Sequence, residues 1–176
     1  VSDYEQSGIP YDRAGVRVDR FVEGLSIIKA AFGEGPFDHS GTHYNVSGYN
    51  GLPKPVQKPY PPILIGGGGR RVLGIAAREA DIVGINGTME SGVIDPAVLR
   101  SMTAGSVEEK ARIVLEGAGP RLAEIEMNVR AFLVNVTDDR KAGMERIAQA
   151  VGFSYVIVGA ADVEAFAPVV ALLHGR

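Results

Sequence analysis

The chain has no cysteine, which excludes disulfides, thiolate metal sites and a cysteine nucleophile. No basic run is longer than the pair Arg70-Arg71, and its net charge is −3 at pH 7. The basic patch that binds nucleic acid is missing, so no nucleic-acid partner is expected. Apolar runs are short: Val156-Ile157-Val158 is far below the ~20 residues needed to cross a bilayer, so no membrane partner is expected either. No charged-then-apolar segment opens the chain, and a cytoplasmic protein is the expectation. The Gly-Lys-Ser/Thr of a Walker loop and the Gly-x-Ser-x-Gly of a nucleophile elbow are both absent. No side chain stands out as a general acid or base, so the catalytic residues stay unassigned.

Against these absences stand 176 residues, 45% of them hydrophobic and 22% charged. This is the composition of a soluble globular domain, either one domain or part of a larger one. Val18, Phe21, Val22, Leu25, Ile28 and Phe32 recur at helical spacing and predict an amphipathic helix over 17–32, ended by Gly33 and Gly35-Pro36. The prolines between Pro53 and Pro62 favour extended backbone and read as a rigid lead-in to the next strand.

From there the chain alternates. Short apolar strands are predicted at 63–65, 82–85, 127–136 and 154–158. Helices are predicted at 70–79, 106–116, 138–150 and 162–174, the second opened by a capping box of Ser106 and Glu109. Four βα units imply a parallel sheet. Periodicity leaves two architectures open, the doubly wound sheet and the closed barrel.

The most informative segment is Gly66-Gly67-Gly68-Gly69-Arg70, where a strand runs into four glycines and then a helix. Glycine permits positive φ and has no Cβ to keep a ligand from the backbone. The first N–H groups of a helix have no intrahelical partner and favour an anion, so this is a candidate phosphate site that Arg70 would supplement. On this reading, valine at Gly67 or Gly68 weakens ligand binding and leaves the fold intact. The spacing is not the dinucleotide fingerprint, because the third glycine position falls on Arg71 or Val72. Asn86 directly follows a strand and either touches a cofactor or begins a turn. His39 and His43 stand four apart, but Asp-His-Ser-Gly-Thr-His-Tyr is loop or hairpin composition, so no metal is expected. Glu23, Glu108 and Glu109 read as solvated helix faces.

The run from Pro61 through the glycines to Ile85 resembles the strand 5 to strand 6 region of luciferase-like monooxygenases. Residues 8–21 resemble the entry to helix 4 of that family, and 153–158 and 166–170 its final strand and helix. The likeness is nearest the branch that uses the deazaflavin coenzyme F420. It implies an α/β fold, a (βα)8 TIM barrel of which strands 5 to 8 are present, residues 1–176 being a single domain that forms the C-terminal part. Val1 in place of methionine agrees with a processed or partial chain.

The same resemblance implies an oxidoreductase that moves a hydride between F420 and a small organic substrate. The cofactor phosphate would rest on Gly66, Gly67, Gly68 and Gly69, with Arg70 and Asn86 beside it and Tyr4 nearby. The alternatives are an FMN-dependent monooxygenase and a non-catalytic flavin-binding relative. Since half a barrel exposes strand edges and apolar faces, a homodimer is expected.

Overall fold

The computed structural model describes residues 2–89, 96–130, 155–157 and 167. The predicted helix 138–150, most of the helix 162–174 and the end of the strand 127–136 lie outside the described residues. The chain divides into two compact units, Val1–Pro62 and Ile63–Arg176.

The first unit holds α1 (Ser2–Gln6), α2 (Ala14–Phe32) and an antiparallel hairpin of β1 (Phe37–Ser40) and β2 (Asn45–Tyr49). Helix α2 begins three residues ahead of the predicted start, Ala14, Gly15 and Val16 adding about one turn in front of the apolar stripe. Its C-terminus is closed by the proline segment: Lys54 Nζ donates to the Ala31 carbonyl at 3.1 Å, and Tyr60 stacks on Phe32 at 6.2 Å. That satisfies carbonyls the helix itself leaves unpaired.

The second unit is a parallel sheet flanked by helices. Strand β3 (Leu64–Gly67) leads to α3 (Arg70–Glu79), and β4 (Ile82–Ile85) to α4 (Pro96–Arg100) and α5 (Ala104–Ala118). A 3-10 turn over Gly119–Glu124 precedes β5 (Glu126–Arg130), and β6 (Tyr155–Ile157) follows. The sheet order is β3-β4-β5-β6, every pair parallel. Each crossover therefore moves one strand in the same direction, and α3 and α5 pack against each other on one face. A doubly wound sheet reverses its strand order part-way and carries helices on both faces. One-way winding is the pattern of a barrel and also of one half of a doubly wound sheet, so both architectures remain open among the described residues.

The core lies between this sheet and its helices. Ile65, Val83 and Met127 form one row across the strands, with Leu73, Ala76, Ala77, Val114 and Ala118 buried from the helices. Residues of opposite parity point to the other face. Helices α3 and α5 approach closely where Gly117 meets Ala77: a Cβ on Gly117 would lie 3.1 Å from that of Ala77. The N-cap of α5 differs from the prediction. Thr103, not Ser106, caps it, its hydroxyl accepting the Ser106 N–H, and the helix starts at Ala104. No helix among the described residues is long and apolar enough to cross a membrane.

Candidate functional site

The candidate residues gather at the C-terminal ends of β3 and β4, the end at which parallel β/α folds place ligands. Gly66 and Gly67 are the last residues of β3, Gly68 and Gly69 make the turn, and Arg70 opens α3 with Gly69 as its N-cap. None of the four glycines has positive φ; among the described residues that conformation belongs to Gly8, Gly35, Gly48 and Gly119. The positive-φ part of that reading is therefore corrected; the missing Cβ is what matters at Gly66, Gly67 and Gly68.

Each glycine meets a different neighbour. A Cβ on Gly66 would lie 2.9 Å from Asn86 Nδ2, and one on Gly67 2.6 Å from Val72 Cγ1. On Gly68 it would overlap the carbonyl of Gly87 and lie 2.7 Å from that of Asn86. Backbone cannot swing aside as a side chain does, so Gly68 is required by the chain's own packing. The expectation that valine at Gly68 leaves the fold intact is overturned. A Cβ on Gly69 meets nothing within 4 Å.

The turn after β4 is stitched to this segment. The Asn86 N–H donates to the Gly67 carbonyl at 2.9 Å, and the Thr88 hydroxyl to that of Gly68 at 3.0 Å. In a trans peptide the N–H points opposite its carbonyl, so the N–H groups of Gly68 and Gly69 point away from the Asn86–Thr88 turn. Arg70 is exposed at the start of α3, whose first turn carries no acidic residue. Open N–H groups at a helix start, an arginine and no carboxylate make an arrangement that suits an anion.

Three contributors were missed by sequence reasoning. Thr88 follows Asn86-Gly87 and passed as part of a turn. Lys110 is buried at 6% exposure and donates to the carbonyls of Asn86 at 2.9 Å and Ser101 at 2.7 Å. Burial pushes its ammonium below the ordinary lysine value, and nearby Glu109 partly offsets that. A legible signal existed: Lys110 falls on the apolar stripe of Val107, Ala111, Val114 and Ala118. Asn128 is buried on β5 in register with Gly84 and Gly66, and a Cβ on Gly84 would lie 3.2 Å from its Oδ1.

In the first unit, Glu23 is not the solvated side chain that helix spacing suggested. Its carboxylate accepts the N–H groups of Tyr44 at 2.7 Å and His43 at 3.0 Å, and contacts His39 Nε2 at 3.2 Å. Burial alone would raise its carboxyl; these donors outweigh it and hold the group below its ordinary value. His39 and His43 thus serve the helix–hairpin junction through a ring nitrogen and a backbone amide. Among the described residues no group of three or more His, Asp or Glu could hold a metal ion. Tyr4 packs edge-on against Tyr11 at 5.0 Å and lines an open depression of about 560 Å³ with Arg20, His43 and Tyr44.

The family model described as luciferase-like monooxygenase matches residues 3–156. The chain belongs to the luciferase-like monooxygenase family. Among curated relatives it is similar to the FMNH2-dependent dimethylsulfone monooxygenase of Pseudomonas putida, 29% identical over 91 residues, or 52% of this chain and 25% of that one. Among solved structures it is similar to a monooxygenase of Streptomyces bottropensis, with a TM-score of 0.52 at 20% identity over 97% of this chain and 48% of that one. A second solved structure, an F420-dependent secondary alcohol dehydrogenase with an F420-acetone adduct, aligns with a TM-score of 0.49 at 15% identity over 90% of this chain and 55% of that one. The chain spans about half the length of these two solved structures. At such identities the first structural likeness speaks for the α/β fold alone.

Proposed function

We propose that the chain is the cofactor-phosphate half of a luciferase-like oxidoreductase, with β3 to β6 as strands 5 to 8 of a (βα)8 barrel. The phosphate of a flavin or deazaflavin rests on Gly66–Gly69 and the start of α3, flanked by Arg70 and Asn86. One observation carries the reading: the glycine that caps α3, Gly69, is the one member of the run that the chain's own packing leaves open. Gly67 and Gly68 are constrained by neighbours, whereas Gly69 presents bare backbone beside the unpaired N–H groups of a ten-residue helix.

The residues fit such a group. The donors are main-chain N–H groups and a guanidinium, both matched to a phosphate anion, and no acidic side chain opposes it in the first turn of α3. When bound, the isoalloxazine or deazaflavin ring supplies the redox chemistry, and the protein's part is to bind and orient it. Strand parity directs Gly66, Gly84 and Asn128 to the face opposite the helices, which in a closed barrel is the interior.

The deazaflavin F420 is the cofactor we favour, with hydride transfer to or from a small organic substrate as the reaction; this rests on the resemblance of the glycine segment to the F420-using branch. The second reading is an FMN-dependent monooxygenase, favoured by similarity to a relative described as FMNH2-dependent. Titrating the full-length protein with F420 and with FMN, by fluorescence or calorimetry, separates them. Tight F420 binding with weak FMN binding is the expected result. Tight FMN binding without F420 binding contradicts the deazaflavin assignment, and binding of neither removes both.

A further inference from the structure

Lys110 is the one buried charged side chain among the described residues. Burying an ammonium carries a large desolvation cost, which a methionine of similar length would not incur. Its acceptors among the described residues are all neutral: the carbonyls of Asn86 and Ser101, with Met102 Sδ at 3.9 Å. The charge is therefore solvated by dipoles and not cancelled by a carboxylate bonded to it.

The position of those dipoles gives the lysine its role. Asn86 is the residue whose N–H holds the Gly67 carbonyl, and Thr88, two residues on, holds that of Gly68. Ser101 grips the same turn from the other side, its hydroxyl accepting the Thr88 N–H at 2.8 Å while donating to the Val98 carbonyl at 2.7 Å. Lys110 bonds both Asn86 and Ser101, so one side chain from α5 ties the turn that braces the glycine segment to the Ser101 backbone that grips that turn. Each bond is modest alone, but a hub shared by three segments fixes their mutual positions.

We infer that Lys110 is the positioning residue of this site: its ammonium holds the Asn86–Thr88 turn against the glycine segment and adds a buried positive charge beneath the anion bound there. The inference rests on the phosphate reading above. It separates Lys110 from Arg70, which is exposed and whose charge water screens.

The test compares phosphate-bearing and phosphate-free ligands on the full-length protein. F420 and FMN are each titrated beside their dephosphorylated cores, in wild type, Lys110→Met and Lys110→Gln. Methionine keeps the length without the charge; glutamine keeps a donor without the charge and covers the case in which methionine fails to fold. In the folded variants, affinity for the phosphate-bearing ligand should fall about tenfold or more, and affinity for the core less than twofold. Amide exchange at Asn86 and Thr88 should quicken while that at Ile85 stays slow. A merely structural lysine would lower the melting temperature and weaken both ligands alike, and that result overturns the inference. So does a wild-type preference for the phosphate-bearing ligand that survives in both variants. A wild type without any such preference removes the phosphate site itself.

Discussion

Gly68 and Gly69 are neighbours with opposite reasons for being glycine. Alanine at Gly68 drives its Cβ into the Gly87 and Asn86 carbonyls, so Gly68→Ala should destabilise the protein by about 1–3 kcal/mol. Denaturant midpoints check this; an unchanged midpoint would mean the β4 turn yields freely. Gly69 has φ −89 and ψ 146 and an open Cβ direction, a conformation that any residue adopts without strain. Glu23 carries the second prediction at this scale. Its carboxyl is held below the ordinary 4.5 by N–H donors it finds only in the folded chain. The stabilisation is therefore present above that value and is lost as pH falls through the lower, folded one. The His43 and Tyr44 amide resonances should shift together as the solution is taken below about pH 4.5, and Glu23→Gln should abolish the transition. Persistence of the shift in that variant would assign it to another group.

The elements divide the work between the two ends of the sheet. At the N-terminal end Asp81 joins three strand starts: its carboxylate accepts the Ile63 N–H at 2.8 Å, its own N–H donates to the Ile63 carbonyl at 3.0 Å, and its carbonyl accepts from Glu126 at 3.0 Å. Arg121 closes the C-terminus of α3 on the same side, donating to the carbonyls of Ala77, Arg78 and Ala80. Asp81→Ala should cost about 1–3 kcal/mol by orphaning a backbone donor, with cofactor affinity unchanged because the site lies at the opposite end. Loss of affinity beyond that of stability would contradict this separation. Much of this arrangement was legible in sequence. The spacing of Val18 to Phe32 gave α2, and the short apolar runs around Ile65, Val83 and Met127 gave parallel strands, because burial on both faces leaves little room for polar residues. What escaped was set by distant contacts. Thr103 rather than Ser106 caps α5, a choice between two adequate caps. Gly68 is glycine because of the distant Gly87 and Asn86 backbone on the next strand's turn, and Lys110 and Asn128 are polar residues on buried faces whose partners no local pattern names.

At the scale of the whole molecule, the sheet is covered unequally. Val83 and Ile85 are sealed beneath α3 and α5; on the opposite face Gly84 and Asn128 are buried, while Leu64 on β3, at the end of the described strand order, is 49% exposed. We propose that the face carrying Leu64, Gly84 and Asn128 is the interior of a barrel completed by further strands, or by a second copy in a homodimer. Residues 1–176 produced alone should then associate in sedimentation, and a stable, well-folded monomer would contradict the barrel interior. The central claim is that backbone at the start of α3 holds the cofactor phosphate, and Gly69→Asp tests it most directly. Aspartate is a favourable N-cap, and its carboxylate accepts the same N–H groups a phosphate would use. The melting temperature should hold or rise, while affinity for F420 or FMN falls tenfold or more, about 1.4 kcal/mol, and affinity for the dephosphorylated core is kept. Undiminished binding of the phosphate-bearing cofactor to a folded Gly69→Asp protein would contradict the account.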